Sequence, residues 1–275
     1  MNLPPRILTI AGSAAGGSAG IQADLKTFQE LDAYGMSVIT AMVAKHPVTG
    51  KNVHLQSIET IEAQFGTAMT QIGVDVIKVG MLFSAEIIEK VAELIRNSMV
   101  KTIVIDPVMI GKFNSKLLAD DAIEVLKEKL LPLATIITPN MPEATELLGG
   151  KEIQTKEELK QAAIEIQKLG FKNVLVKGGR LTGNAVDILY DGEAFLTAEA
   201  SRIDTVNTSG AGCTYSAAIA AYLAHGKTIA EAVLLAKEFV TTAIAHGFSY
   251  NEHVGPTYHA ALRKYGSIQR ILTNN

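Results

Sequence analysis

Asp106, Glu143 and Lys177 are the residues of this 275-residue chain whose types and settings point to chemistry. Each stands where a short apolar, β-branched run gives way to polar or small residues. Asp106-Pro107 follows Thr102-Ile103-Val104-Ile105, Asn140 and Glu143 follow Thr135-Ile136-Ile137-Thr138, and Lys177-Gly178-Gly179 follows Asn173-Val174-Leu175-Val176. A carboxylate pair with a lysine and glycines is the set that phosphoryl transfer requires: the acids hold Mg²⁺ directly or through water, and the lysine meets phosphate charge. The protein does little covalent work in such a reaction, so positioning and charge neutralisation dominate. Taken singly, each residue has an ordinary reading. Asp106 could cap a turn before Pro107, Glu143 could be a first-turn acid favoured by the helix dipole, Lys177 could lie on the surface, and Gly178 could belong to a simple turn. Their coincidence at successive strand ends favours a site.

A second element is Thr208-Ser209-Gly210-Ala211-Gly212-Cys213-Thr214, which opens a helix of small residues. Backbone N–H groups at such a helix start make an anion site. No Gly-Lys-Ser/Thr follows at Walker A spacing, and Gly16, Gly17 and Gly20 of the 11–20 loop do not fit a dinucleotide fingerprint. The helix start is expected to lower the pKa of Cys213; the alternative is a small buried hydrophobe. Asp24, early in the next helix, reads more readily as a dipole partner than as a ligand. The six histidines show no metal-ligand spacing, and His46 could reach a site only from a flap at 45–58.

The elements that must position these residues alternate along the chain. Strands are expected at 7–10, 37–43, 76–79, 102–105, 135–138 and 173–177, and helices near 21–31, 60–71, 85–96, 119–130, 142–148 and 155–169. Two alternating segments, 185–190 and 193–198, flank Asp191-Gly192 as a hairpin. Two Ala-rich helices, 211–224 and 229–246, and a short one near 257–264 complete the order. The continuous apolar strands imply a mainly parallel sheet covered on both faces, with ligands outside the carboxyl ends of its strands. The segments 45–58 and 110–118 are expected to cover the site.

Composition narrows the class. Hydrophobic residues make up 48% of the chain, enough for a core. Formal charge is -3, from 25 basic and 28 acidic side chains, so nothing marks the chain as a binder of nucleic acid or of an anionic membrane. A single cysteine makes no internal disulfide and fits a reducing compartment. No apolar stretch reaches the roughly 18 residues that span a bilayer, and no leader precedes the first strand, so a cytoplasmic location is expected.

With these residues in view, the chain resembles the ribokinase-like vitamin kinases. Within them it is similar to the bacterial hydroxymethylpyrimidine kinases and their pyridoxal kinase offshoot of Gram-positive type. The likeness runs through Ala11-Gly12-Ser13, Ala19-Gly20-Ile21-Gln22-Ala23-Asp24, Lys78-Val79-Gly80-Met81, Asp106-Pro107-Val108-Met109, Thr138-Pro139-Asn140-Met141-Pro142-Glu143, Lys177-Gly178-Gly179, Gly210-Ala211-Gly212-Cys213-Thr214 and Val254-Gly255-Pro256. The resemblance implies one ribokinase-like α/β domain over 1–275, a three-layer α-β-α fold with a mainly parallel sheet and a small antiparallel hairpin. It implies ATP, Mg²⁺ and, as an option, a monovalent cation such as K⁺. Asp106 and Glu143 would serve the metal. Asn140, Glu143, Lys177 and Gly178 would serve the phosphates, and Ala236, Lys237 and Val240 the adenine. Gly210, Ala211 and Gly212 would form the anion hole, with Cys213 as base, and Ala19, Gly20, Asp24, Lys45, Met81 and Val108 would meet a heteroaromatic alcohol. A homodimer is implied too. The chain departs from the family pattern at Ala14 (usually Asp), Lys45 (Gln in the pyrimidine enzymes), Val79 (Thr), Gly111 (a lid Cys in related pyridoxal kinases) and Ser209 (His). The expected substrate is a B6 vitamer. The alternatives are hydroxymethylpyrimidine or its phosphate, dual activity, or a ligand sensor without catalysis.

Overall fold

The computed structural model describes residues 3–110, 118, 120–251 and 255–271; Gly111, Val254 and most of the expected 110–118 cover lie outside them. The described residues form a nine-stranded sheet of β1 (Arg6–Ala14), β2 (Tyr34–Val43), β3 (Val53–Leu55), β4 (Val76–Val79), β5 (Thr102–Ile105), β6 (Ile136–Ile137), β7 (Val174–Gly178), β8 (Ala185–Tyr190) and β9 (Phe195–Ala200). Their spatial order is β3-β2-β1-β4-β5-β6-β7-β8-β9. Neighbours from β2 to β7 pair in parallel, while β3 against β2, β8 against β7 and β9 against β8 are antiparallel. Strand order reverses between β1 and β4, and in doubly wound sheets that reversal opens a crevice at the carboxyl ends.

Period-two alternation divides the strands between two cores. Leu8, Ile10, Ile77, Val79, Ile103, Ile105 and Ile137 face α2 (Ile58–Thr67), α3 (Ala85–Asn97), α4 (Asp120–Val125), α5 (Met141–Leu147) and α6 (Lys156–Gln167). Ile7, Val76, Val104, Ile136 and Leu175 face α1 (Ile21–Glu30), α7 (Ala211–Ala224) and α8 (Ile229–Ala245). Both faces of each central strand are therefore buried, which explains the unbroken apolar runs. Helix α7 is apolar around most of its girth, and its run Ala217–Ala221 is fully buried; small side chains let it lie close to the sheet, α1 and α8. Side-chain caps start several helices: Ser57 for α2, Ser84 for α3, and the capping boxes Thr155–Glu158 and Thr228–Glu231 for α6 and α8.

The elements differ from expectation where backbone pairing overrides composition. β1 runs on to Ala14, through residues expected to be loop, because Gly12, Ser13 and Ala14 keep pairing with Ala41, Met42 and Val43 after a register shift at Ala11/Gly12. The 45–58 flap contains the edge strand β3. The expected helix at 119–130 is α-helical only to Val125, then widens into a π turn over Leu126–Leu130. β6 has only two residues in the ladder, and the final helix, α9, is Ala261–Tyr265.

Phe28 on α1 is among the largest fully buried side chains. Phe28→Ala is expected to lower the unfolding free energy by about 3–5 kcal/mol, read from the midpoint of urea denaturation.

Candidate active site

The polar residues at the sheet's carboxyl edge continue the face that α7 covers. Thr9 follows Ile7, Lys78 follows Val76, Asp106 follows Val104, Thr138 follows Ile136 and Lys177 follows Leu175, each two residues on. The first four are buried. Lys177 Nζ lies 2.7 Å from Asp106 Oδ1, and Thr138 Oγ1 donates to the same oxygen at 3.0 Å. From α7, Ser216 Oγ reaches Asp106 Oδ2 at 3.4 Å. A methyl group added to Gly212 would stand 3.5 Å from Lys177 Nζ and 3.9 Å from Asp106 Oδ2. The helix start and the charged pair thus face one another across a single small space, which only a residue without a side chain leaves open.

Gly210 caps α7 with φ +83°, in the left-handed region that suits glycine. A methyl group there would collide with the Ser18 carbonyl oxygen, so the 11–20 loop docks directly on the helix start. Ser209 Oγ bonds Ser18 Oγ at 3.0 Å, and its backbone bridges to Pro256. That is what Ser209 does in place of a histidine. Gln22 pins the same loop through Ala14 N–H (2.9 Å) and Ser13 Oγ (2.7 Å). Ala19 is half-buried in this loop. Gly20, at φ +61°, closes the loop against Gly12 and directs its N–H at Cys213.

Two expectations are corrected and a third is extended. The Cys213 thiol is pushed up, not down: burial outweighs the help it receives from Lys78 and from the Gly20 N–H. Asp24 stands in the first turn of α1 but is held by more than the helix dipole. It is fully buried, accepts from Thr9 Oγ1 at 2.6 Å and from Lys78 Nζ at 3.0 Å, and keeps Oδ1 without a partner among the described residues. Ala236 belongs to the apolar core under α8, not to a pocket wall. Glu143 is the first-turn acid weighed for it. It closes a capping box on α5, with Asn140 N–H donating to Oε2 at 2.8 Å and Asn140 Oδ1 accepting from Glu143 N–H at 3.0 Å. It is also a buried acid beside Lys177. Burial, aided by Asp106, pushes its carboxyl up to about 8, against the pull of Lys177 and backbone N–H groups. For Lys177, burial opposes the charge, and Asp106 and Glu143 outweigh it and hold the ammonium above the usual range.

A cavity of about 260 Å³ opens beside this cluster, lined by Lys177, Gly212, Thr208, Asp187, Lys237 and Val240. Lys237 Nζ does not point freely into it but pairs with Asp187 Oδ2 at 2.6 Å, and Asp187 Oδ1 takes the Gly178 N–H at 3.0 Å. Met81 and Val108 are half-buried just past the ends of β4 and β5, and Lys45 is exposed on the flap rather than within the buried cluster. A larger hollow, about 780 Å³, lies outside the glycine loop between α1 and residues 248–260 and contains none of the strand-end charges. Sequence reasoning missed Lys78 as a site residue, although a lysine inside Val76-Ile77-Lys78-Val79 breaks an otherwise apolar strand. It also missed Phe83, held at φ +74° with its ring against Gly12, for which the sequence carries no signal. Asp106 and Glu143 offer hard oxygen donors, and Glu143, costly to ionise where it lies, gains from a nearby cation. This donor pair fits Mg²⁺ with water or phosphate completing the shell.

The shift at Glu143 fixes a pH dependence. A free carboxyl ionises near 4.5 and the folded one near 8. The group's contribution is therefore whole below the lower value and is lost as pH rises through the upper one. Glu143→Gln, which can still accept the Asn140 N–H, is expected to remove that loss. Urea melts of unliganded protein at pH 5 and pH 8.5 should show wild type declining relative to the variant.

Comparison with known proteins shows the family. The family model described as phosphomethylpyrimidine kinase matches residues 15–258. A pyridoxine kinase of Bacillus subtilis is 47% identical over 262 residues, 94% of this chain and 97% of the relative. A hydroxymethylpyrimidine/phosphomethylpyrimidine kinase of Haemophilus influenzae is 44% identical over 93% of this chain and 97% of its own. The structure of the pyridoxal kinase from Staphylococcus aureus in complex with AMP-PCP and pyridoxal superposes with a TM-score of 0.89 at 39% identity, covering 99% of this chain and 98% of that one. The ribokinase-like architecture is that of these pyridoxal kinases, and the chain belongs to the phosphomethylpyrimidine kinase family.

Proposed function

We propose that this protein is an ATP-dependent kinase that phosphorylates the hydroxymethyl group of a B6 vitamer (pyridoxine, pyridoxal or pyridoxamine) to the 5′-phosphate. The observation that carries the proposal is the placement of Gly212 within 4 Å of both Lys177 Nζ and Asp106 Oδ2 for any atom added at its Cβ position. The pyridoxine kinase relative and the pyridoxal-bound neighbour support the vitamer, and AMP-PCP in that neighbour supports ATP as donor. The second reading, a hydroxymethylpyrimidine kinase, is favoured by the Haemophilus influenzae relative at nearly the same identity. Both substrates are flat heteroaromatic alcohols.

In this reading the nucleotide enters the cavity between β7, β8 and α8, with its phosphates toward Asn140, Lys177, Gly178 and the start of α7. The ring of the alcohol lies against Ala19, Gly20, Asp24, Met81 and Val108, below the flap that carries Lys45. Asp24 Oδ1 is buried and has no hydrogen-bond partner among the described residues. Cys213, as thiolate, takes the hydroxymethyl proton; the alcohol oxygen bonds to the γ-phosphorus and ADP leaves with the electrons of the broken P–O bond. Charge on the equatorial oxygens meets the N–H groups of Gly210, Ala211 and Gly212 and the Lys177 ammonium. Held by Asp106 and Glu143, Mg²⁺ would neutralise phosphate charge; K⁺ could add to the same field. A single kinase domain, a homodimeric assembly and a cytoplasmic location accompany this reading. Among the described residues no helix is long and apolar enough to cross a membrane.

ADP release at fixed Mg-ATP, measured separately with pyridoxal, pyridoxine and hydroxymethylpyrimidine, is expected to show the highest kcat/KM with a vitamer; preference for the pyrimidine would favour the second reading. Cys213→Ala should reduce kcat by about 100- to 10,000-fold while calorimetry shows ADP still binding. A variant with full turnover would remove the thiol from the mechanism.

A further inference from the structure

Arg202 stands just past the end of β9, on the segment that leads to the Gly210 cap of α7. Its guanidinium gathers three main-chain carbonyls of the loop between β7 and β8. Nε donates to the Gly183 oxygen at 2.6 Å, Nη1 to the Gly179 oxygen at 3.0 Å and Nη2 to the Leu181 oxygen at 2.5 Å. The three nitrogens lie in one plane with fixed N–H directions, so the carbonyls of alternate residues converge on one side chain. That fixes the course of the chain from 179 to 183 at once. Leu181 N–H also closes a turn on the Gly178 oxygen at 3.0 Å, and the Leu181 side chain is buried. Arg202 itself is exposed. Water could serve an exposed guanidinium equally well, so solvation of the side chain does not demand these bonds.

The clamp lies at the cavity of about 260 Å³, where Gly179 and Arg202 both form part of the wall, with Lys177, Thr208 and Gly212. The loop continues β7 directly beyond Lys177 and Gly178. Asp187 holds its root, taking the Gly178 N–H at 3.0 Å and pairing with Lys237 at 2.6 Å. Arg202 thus joins two walls of one cavity, the loop after β7 and the segment that enters the start of α7. We propose that Arg202 is a positioning residue for the nucleotide, whose guanidinium shapes the 179–183 loop into a preformed wall of the cavity. The proposal rests on reading that cavity as the nucleotide site. A wall ordered before the ligand arrives spares the cost of ordering it on binding, so the clamp acts on nucleotide affinity and not on the chemical step.

The test compares Arg202→Ala and Arg202→Lys with wild type, using calorimetry of ADP and steady-state kinetics on folded protein. Lysine keeps the charge and loses the planar fork. Both variants are expected to weaken ADP binding by about tenfold and to raise the KM for ATP alike. The KM for the alcohol should stay unchanged, and kcat at saturating ATP should remain within about threefold of wild type. Wild-type ADP affinity in Arg202→Lys would show that charge suffices and overturn the clamp. So would a lowered urea midpoint with unchanged ADP affinity, which is all that a purely structural tie would give. If Arg202→Ala does not fold, Arg202→Lys decides alone by the same criterion. Ile244→Trp separates this proposal from the reading beneath it, because Ile244 is a half-buried part of the cavity wall on α8. Unchanged ADP affinity in Ile244→Trp would place the nucleotide elsewhere and overturn both. Weakened ADP binding there, with none in the Arg202 variants, would overturn the role of Arg202 only.

Discussion

Buried charge must be paired, and on this sheet Lys78, Asp106 and Lys177 at the carboxyl edge all lie under the same helix. Alternation along each strand sends Lys78, Asp106 and Lys177 to the face that Val76, Val104 and Leu175 have already committed to α7. The apolar rungs fix the helix against the sheet, and the next rung places ammonium and carboxylate groups at its first turn. Asp24–Lys78 and Asp106–Lys177 are the consequence. Replacing such pairs by well-packed apolar residues is often neutral or stabilising, whereas removing one partner typically costs about 3–5 kcal/mol. Stability alone does not account for two of them side by side; the anion-handling site proposed between them would.

The helix start answers those charges with backbone rather than side chains. Gly210 and Gly212 carry no Cβ for two different reasons: one accepts the Ser18 carbonyl at close range in a left-handed conformation, and the other leaves the space between Lys177 and Asp106 open. The glycine-rich loop is accordingly part of the site and not a loose connection. It is held by Gln22, by the extension of β1 along β2 and by Ser209, and it brings Gly20 to the thiol.

Much of this was legible in the sequence. Apolar β-branched runs ending in Asp106, Asn140 and Lys177 gave both the parallel sheet and the side of it that matters, because strand ends and chemistry coincide in such folds. What stayed hidden were effects that depend on distance across the fold. Cys213 looked activated by its helix start, yet it is half-buried there, and desolvation outweighs the charges that favour a thiolate. Asp24 looked like a dipole partner at the start of α1 because nothing nearby in sequence reveals that Lys78, fifty-four positions away, meets it in the core. The two-residue β6 and the π turn after α4 reflect tertiary pairing and packing that override local preference.

The most direct measurement is a crystal structure with ADP, aluminium fluoride and pyridoxal. The fluoride mimic of the transferring phosphoryl group should lie within hydrogen-bond distance of the Gly210–Gly212 amides and the Lys177 ammonium, with the Cys213 sulfur beside the vitamer's hydroxymethyl oxygen. A mimic bound away from the start of α7, or a hydroxymethyl group turned from Cys213, would contradict the account.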